Sequence, residues 1–226
     1  MYFSMIRLRR GISPRDITDF TRMNGYQAHQ MVWNLFSDDA SRQRDFIYRH
    51  EAVNGWPTFY TVSKREPADT AGMWEIIPKE YKPQLRAGQR LGFTSCVNPI
   101  RSRRDENGRQ QRHDVVMEEK LKLKKEGKSF DLPGSVQDVG FRWLKERSAS
   151  YGFSISDEGI RVDGYRQHRL FKGKGNKLIT FSTLDFNGIL TVTEPDVFVE
   201  KCLFDGIGPA KGFGCGLMLV RRAWNI

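Results

Sequence analysis

Apolar and polar positions along the chain fall into stretches whose spacing names the element each can form. Tyr2 to Arg9 is rich in aromatic and branched residues and is ended by Arg10-Gly11, which predicts a β-strand. A polar helical stretch over about Pro14 to Thr21 follows, with Ser13 as an N-cap before a proline at the first helical position. From Gly25 to Phe36, Ala28, Met31, Val32, Leu35 and Phe36 recur at the spacing of one helix face, so this segment predicts a helix lying on a core. Phe46 to Val53 and Pro57 to Ser63 alternate loosely around Asn54-Gly55, a strong hairpin signal. Trp74 to Lys79 is a shorter strand-like run, and Pro78, Pro83 and Ala87-Gly88 read as a linker.

The pattern then restarts. Arg90 to Asn98 predicts a strand, Met117 to Lys125 a helix of mixed charge, and Ser135 to Ser148 a firmer helix with Ser135 to Asp138 fitting a capping box. Phe153 to Val162 is strand-like, and Lys172-Gly173-Lys174-Gly175-Asn176 reads as the tip of a β-hairpin. Leu178 to Phe186 and Ile189 to Thr193 are expected as two strands around Asn187-Gly188. A helix then starts near Thr193 with Pro195 in its first turn, and Leu217 to Arg221 is a last strand. Both halves give the order βαββαβ. The expected fold is therefore α+β, with tandem ferredoxin-like (RRM-like) domains over 1–84 and 89–226.

Between the last helix and the last strand lies Gly206-Ile207-Gly208-Pro209-Ala210-Lys211-Gly212-Phe213-Gly214-Cys215-Gly216, too rich in glycine for either element. Bare backbone N–H groups beside Lys211 would suit a phosphate; the alternative is a helix C-cap and turn with no ligand. It is neither a dinucleotide fingerprint nor a P-loop.

Charge sharpens these options. Thirty-seven Lys and Arg against 27 Asp and Glu give a net charge of +10, an electrostatic footprint for a polyanion, with nucleic acid ahead of an anionic membrane. No apolar run reaches the length of a membrane span and no signal peptide follows the Arg7–Arg10 cluster, so a cytoplasmic location is expected. Cys96, Cys202 and Cys215 have no C-x-x-C spacing and read as buried thiols. Arg161 to Lys177 holds six basic residues against Asp163 alone, so the hairpin is either a basic ribbon following phosphates or an edge hairpin kept soluble by lysine. Arg101, Arg103, Arg104, Arg109 and Arg112 around Asn107-Gly108 read as a basic loop. On the predicted first long helix, Tyr26 and His29 lie one turn apart on the face away from its core, with Trp33 a turn further on. They are either an acid/base pair or surface residues without a role. No Asp/Glu cluster with ligand-like spacing is present, and neither a metal nor a cofactor is expected.

Gly206-x-Gly208, five residues, then Gly214-x-Gly216 in a duplicated ferredoxin-like pattern resembles the RAMP superfamily of CRISPR RNA-binding proteins. Met1-Tyr2-Phe3-Ser4, the segment Tyr26 to Phe36, Asn98-Pro99-Ile100 and Gly206 to Lys211 resemble, more narrowly, the CasE family, crRNA-processing endoribonucleases of type I-E Cascade. The resemblance implies metal-independent cleavage, with His29 taking the proton of a ribose 2′-OH and Tyr26 orienting the group or stabilising charge. The products would be a 2′,3′-cyclic phosphate and a 5′-OH. It also implies binding of the CRISPR repeat stem-loop and mature crRNA, with Arg166, Arg169, Lys172, Lys174 and Lys177 on the hairpin and Gly208, Lys211 and Gly214 at the loop. Other Cascade subunits are the implied protein partners. The alternative class is a non-catalytic RAMP scaffold that binds crRNA.

Overall fold

The computed structural model describes residues 1–11, 25–37, 43–172 and 177–223. The helix expected over Pro14 to Thr21 and the hairpin tip lie outside them. Strands β1 (Tyr2–Leu8), β2 (Phe46–Val53), β3 (Trp56–Ser63) and β4 (Trp74–Glu80) form an antiparallel sheet in the order β2-β3-β1-β4. Asn54 and Gly55 turn β2 into β3 with φ of 52° and 81°, the paired positive values of a two-residue hairpin turn. Alternation along β1 sends Ile6 and Leu8 to one face, where α1 (Gly25–Asn34) lays Ala28 and Val32 on them, with Phe46, Tyr48, Phe59 and Trp74 completing this core. A ten-residue helix is marginal alone; burial worth roughly 1.5–3 kcal/mol per large side chain holds it in place. Leu35 and Phe36, expected inside the helix, instead form a turn bonded to Val32 O and Trp33 O and stay buried. No helix joins β3 to β4. Asp69 shapes that connection by accepting the N–H groups of Ala71, Gly72 and Trp74.

The other face of this sheet presents Ile47 and Val62 to Leu217, with Phe204 and Leu219 packed alongside, so segments of the second half close it. The second antiparallel sheet contains β5 (Arg90–Val97), β8 (Phe153–Lys172), β9 (Lys177–Val192) and β10 (Met218–Arg222), in the order β10-β5-β9-β8. Helices α2 (Val115–Lys125) and α3 (Leu132–Ser148) precede β8. A short α4 (Pro195–Val197) runs into a π-helix over Phe198–Phe204 before β10. Trp143, Phe153, Phe186 and Phe198 are its largest buried rings. Among the described residues no helix is long and apolar enough to cross a membrane.

Three further expectations are corrected. Asn187-Gly188 is not a turn: β9 runs straight through it, with Gly188 opposite Phe93 and Ile160. A bulge in β8 between Ile155 and Ile160 pushes the Gly159 carbonyl to where a Cβ on Gly188 would stand, so this glycine permits a close approach. Helix α3 begins before the expected capping box, because Asp131 accepts the Gly134 N–H at 2.8 Å and Pro133 occupies the first turn. The arginine-rich loop is a hairpin, β6 (Ile100–Arg104) and β7 (Gln110–Asp114), anchored by Arg101–Glu146 at 2.9 Å and Arg103–Glu118 at 2.8 Å. Asp114 at its end caps α2 through the N–H groups of Val116 and Met117.

Candidate functional site

Burial of Ala28 and Val32 turns the other face of α1 outward, where Tyr26, His29, Gln30, Trp33 and Asn34 line one shallow hollow. The Tyr26 and His29 rings are 6.3 Å apart between centroids, and His29 and Trp33 5.8 Å. The second half of the chain reaches this face. Phe213, from the glycine stretch, stands 5.8 Å from His29 and stacks on Phe181 of β9 at 5.2 Å, which in turn stacks on His168 of β8 at 4.7 Å. A row of rings, Trp33, His29, Phe213, Phe181 and His168, thus joins α1 to the second sheet.

Two cations belong to the same place. A Cβ on Gly212 would lie 3.7 Å from the His29 Nδ1 and 2.8 Å from Nη1 of Arg44, so imidazole and guanidinium flank one backbone atom. Burial lowers the Arg44 pKa, against a smaller opposing effect of Tyr48. Burial also lowers the pKa of Lys211, with Asp205 raising it and Arg44 lowering it further. Cations beside a potential base suit an anion that gains charge during reaction. Sequence reading found His29, Tyr26 and Lys211 but missed Arg44 and Phe213. Arg44 carries no periodic signal, whereas an aromatic ring amid five glycines was a visible oddity.

The glycine stretch is not a row of bare donors. Ile207 N–H donates to Gly216 O, Gly216 N–H to Cys96 O, Phe213 N–H to Ala210 O and Gly208 N–H to the Tyr151 hydroxyl. Gly216, at φ 93°, would place a Cβ 2.7 Å from the Ile207 carbonyl, and Gly206, at φ 78°, 2.9 Å from the Gly216 carbonyl. The glycines therefore let two backbone segments run against each other. Gly208 abuts Asn98 O and Gly214 the Tyr48 ring, at 3.4 and 3.3 Å from their would-be Cβ atoms. Tyr48 fixes the turn further by donating its hydroxyl to Gly212 O at 3.1 Å.

The basic arms divide. Unbroken register from Arg166 to Lys172 puts Arg166, His168 and Leu170 on one face of β8 and Gln167, Arg169 and Phe171 on the other. Arg166 pairs with Asp185 at 2.5 Å. Arg169 instead lines a cavity with Arg112. Lys174 and the side chains of Lys172 and Lys177 lie outside the described residues.

A family model described as "CRISPR associated protein" matches residues 1–222. The chain belongs to that family. It is 28% identical over 221 residues to the CRISPR system Cascade subunit CasE of Escherichia coli (strain K12), covering 96% of this chain and 98% of that one. It is 25% identical over 217 residues to the CRISPR-associated endoribonuclease Cse3 of Thermus thermophilus, covering 87% of this chain and 90% of that one. Among solved structures, CRISPR endoribonuclease Cse3 bound to 19 nt RNA superposes with a TM-score of 0.68 at 22% identity, covering 97% and 98% of the two chains. Cas6e from E. coli str. K-12 superposes with a TM-score of 0.57 at 24% identity, covering 99% and 100%. The resemblance to the CasE/Cse3 family carried by the two ends and middle of the sequence is thus borne out along its length. In this CRISPR-associated protein, two of the motifs that carried it, Tyr26-x-x-His29 and the glycine stretch, meet in space at Gly212 and Phe213.

Proposed function

We propose that this chain is a metal-independent endoribonuclease that binds the stem-loop of a CRISPR repeat and cuts the precursor to give mature crRNA. The observation that carries the reading is the placement of His29 on a packed helix, beside Tyr26 and with Arg44 across Gly212, where Lys211 in turn feels the charge of Arg44. The relatives named a Cascade subunit and an endoribonuclease support it. Each sheet has its own strands in the order fourth, first, third, second, which we read as tandem ferredoxin-like units over 1–84 and 89–226, the first lacking its second helix. The relative named a Cascade subunit supports other Cascade subunits as partners, and a cytoplasmic location belongs to the same reading.

Neutral imidazole of His29 takes the proton from the ribose 2′-OH. The freed O2′ attacks the adjacent phosphorus, the P–O5′ bond breaks, and the departing oxygen takes a proton from water while the His29 imidazolium returns its own to solvent, leaving a 2′,3′-cyclic phosphate and a 5′-OH. Arg44 and Lys211 offset charge gathering on the non-bridging oxygens, and Tyr26 orients the reacting ribose. Arg166, Lys172, Lys174 and Lys177 supply phosphate contacts along the stem and Arg169 a phosphate contact beside it, while Gly208 and Gly214 seat the loop against Asn98 and Tyr48.

The test uses repeat RNA in EDTA, with the nucleotide 5′ of the cut replaced by its 2′-deoxy analogue. Removal of this hydroxyl should abolish cleavage and leave affinity nearly unchanged, and His29→Ala should lose about 10²- to 10⁴-fold in rate on all-ribose RNA. Cutting of the deoxy-substituted RNA at the same bond rejects the mechanism. Binding without cutting of the all-ribose repeat favours a scaffold.

A further inference from the structure

Between β8–β9, the first turn of α2 and the Pro209–Phe213 turn lies a cavity of about 530 Å³. Asn98, Ile100, Pro209 and Ala210 line it, from two segments singled out in the sequence that the cleavage chemistry leaves without a task. Three features define what it can hold.

Arg112 of β7 and Arg169 of β8 both face this space, and neither has a carboxylate partner among the described residues. Their neighbours Arg101, Arg103 and Arg166 are each held in ion pairs. The acid in the wall, Asp114, is already engaged by the N–H groups of Val116 and Met117 and by the Tyr165 hydroxyl. Two guanidiniums from different elements turned on one hollow suit a phosphate. Beside them Ile100 and Met117 supply apolar surface, the surroundings a flat base needs when it leaves a stack, and Ile179 and Phe181 reach the cavity from the other face of the β8–β9 ribbon. Finally, Phe213 is at once a wall of this cavity and the neighbour of His29, so whatever fills it adjoins the bond to be cut.

We propose that this cavity is a mononucleotide site, receiving one unstacked ribonucleotide next to the scissile bond. Its phosphate lies on Arg112 and Arg169 and its base against Ile100 and Met117. The proposal rests on the endoribonuclease reading for the polymer that delivers the nucleotide. A paired stem does not satisfy the site, because stacked bases cannot enter it.

The test measures the affinity of the full chain for repeat RNA in which one nucleotide at a time is replaced by an abasic ribose. One unpaired position should lose roughly tenfold in affinity with the wild-type chain, the typical worth of a buried base. With Thr180→Trp, which fills the cavity from an exposed strand position and leaves the core intact, the same substitution should cost less than twofold. Arg112→Gln should lower the slope of log affinity against log salt by about 0.7, one single-strand phosphate contact. Absence of any position whose loss is relieved by Thr180→Trp, or an unchanged slope in Arg112→Gln, overturns the site. Cleavage assayed in parallel separates the two readings. A chain that cuts but shows no such coupling rejects the cavity alone, one that shows the coupling but never cuts rejects the nuclease alone, and one that does not bind the RNA rejects both.

Discussion

Replacing Phe213 by alanine removes the ring that stands between His29 and Phe181. A fully buried Phe→Ala change costs about 3–5 kcal/mol; Phe213 is half-buried, which brings the expectation to about 2 kcal/mol on the same scale. In a chain of 226 residues that corresponds to a fall in Tm of roughly 4–8 °C. Against a typical total stability of about 5–15 kcal/mol the variant remains almost wholly folded at 25 °C. Unfolding therefore does not account for a large change in rate. Loss of the ring does, since it frees the imidazole on one side, and a displacement of about 1 Å in a catalytic group can cost on the order of 10²-fold. Single-turnover cleavage of repeat RNA at saturating protein is expected to slow by roughly that factor, with affinity held within about twofold because stem contacts are untouched. Phe213→Tyr, which keeps the ring, should restore the rate. If Phe213→Ala melts lower yet cuts as fast as the parent, the ring is only core. If rate and affinity fall together and Phe213→Tyr does not rescue, it contacts RNA rather than positioning His29.

Two further expectations follow from the same geometry. Gly216→Ala must meet both a positive φ, worth about 1–2 kcal/mol, and the Ile207 carbonyl at 2.7 Å, whereas Gly88→Ala at φ 81° meets nothing within 4 Å. Urea unfolding should show the larger loss at Gly216, and equal losses would reject the close-approach argument. Burial, then Arg166, depresses the pKa of His168, with Asp185 opposing. The unfolded chain thus takes up the proton first on acidification, so this contribution is complete above about pH 6.5 and lost as pH falls through the depressed folded value. His168→Asn should flatten the dependence of the urea midpoint between pH 7.5 and 5.5, and an unaltered slope would refute this account.

Local chemistry explains which parts of the molecule could be read in advance. Helix α1 was legible because the spacing of Ala28 and Val32 states a buried face outright, and with it the outward placement of Tyr26 and His29. Asn54-Gly55 was legible because strands end on both sides of it. The same dipeptide at Asn187-Gly188 misled, because the reason for that glycine is the Gly159 carbonyl on a neighbouring strand's bulge, which no window around Gly188 contains. The β6–β7 hairpin was hidden by its arginines. Its partners are carboxylates on α2 and α3 rather than an apolar face, so strand alternation carries no hydrophobic signal there.

By itself the sequence determined most strands of the two four-stranded sheets, the net positive charge, and the helix face that bears His29, since each depends on residue types within a few positions of one another. Tertiary structure alone decided what His29 meets. Phe213 and Arg44 come to it from distant segments because Gly206 and Gly216 allow a close backbone crossing that delivers Phe213, and because Arg44 precedes the strand whose Tyr48 holds Gly212. Neither approach follows from a local period; both follow from packing one sheet against the segments that close it.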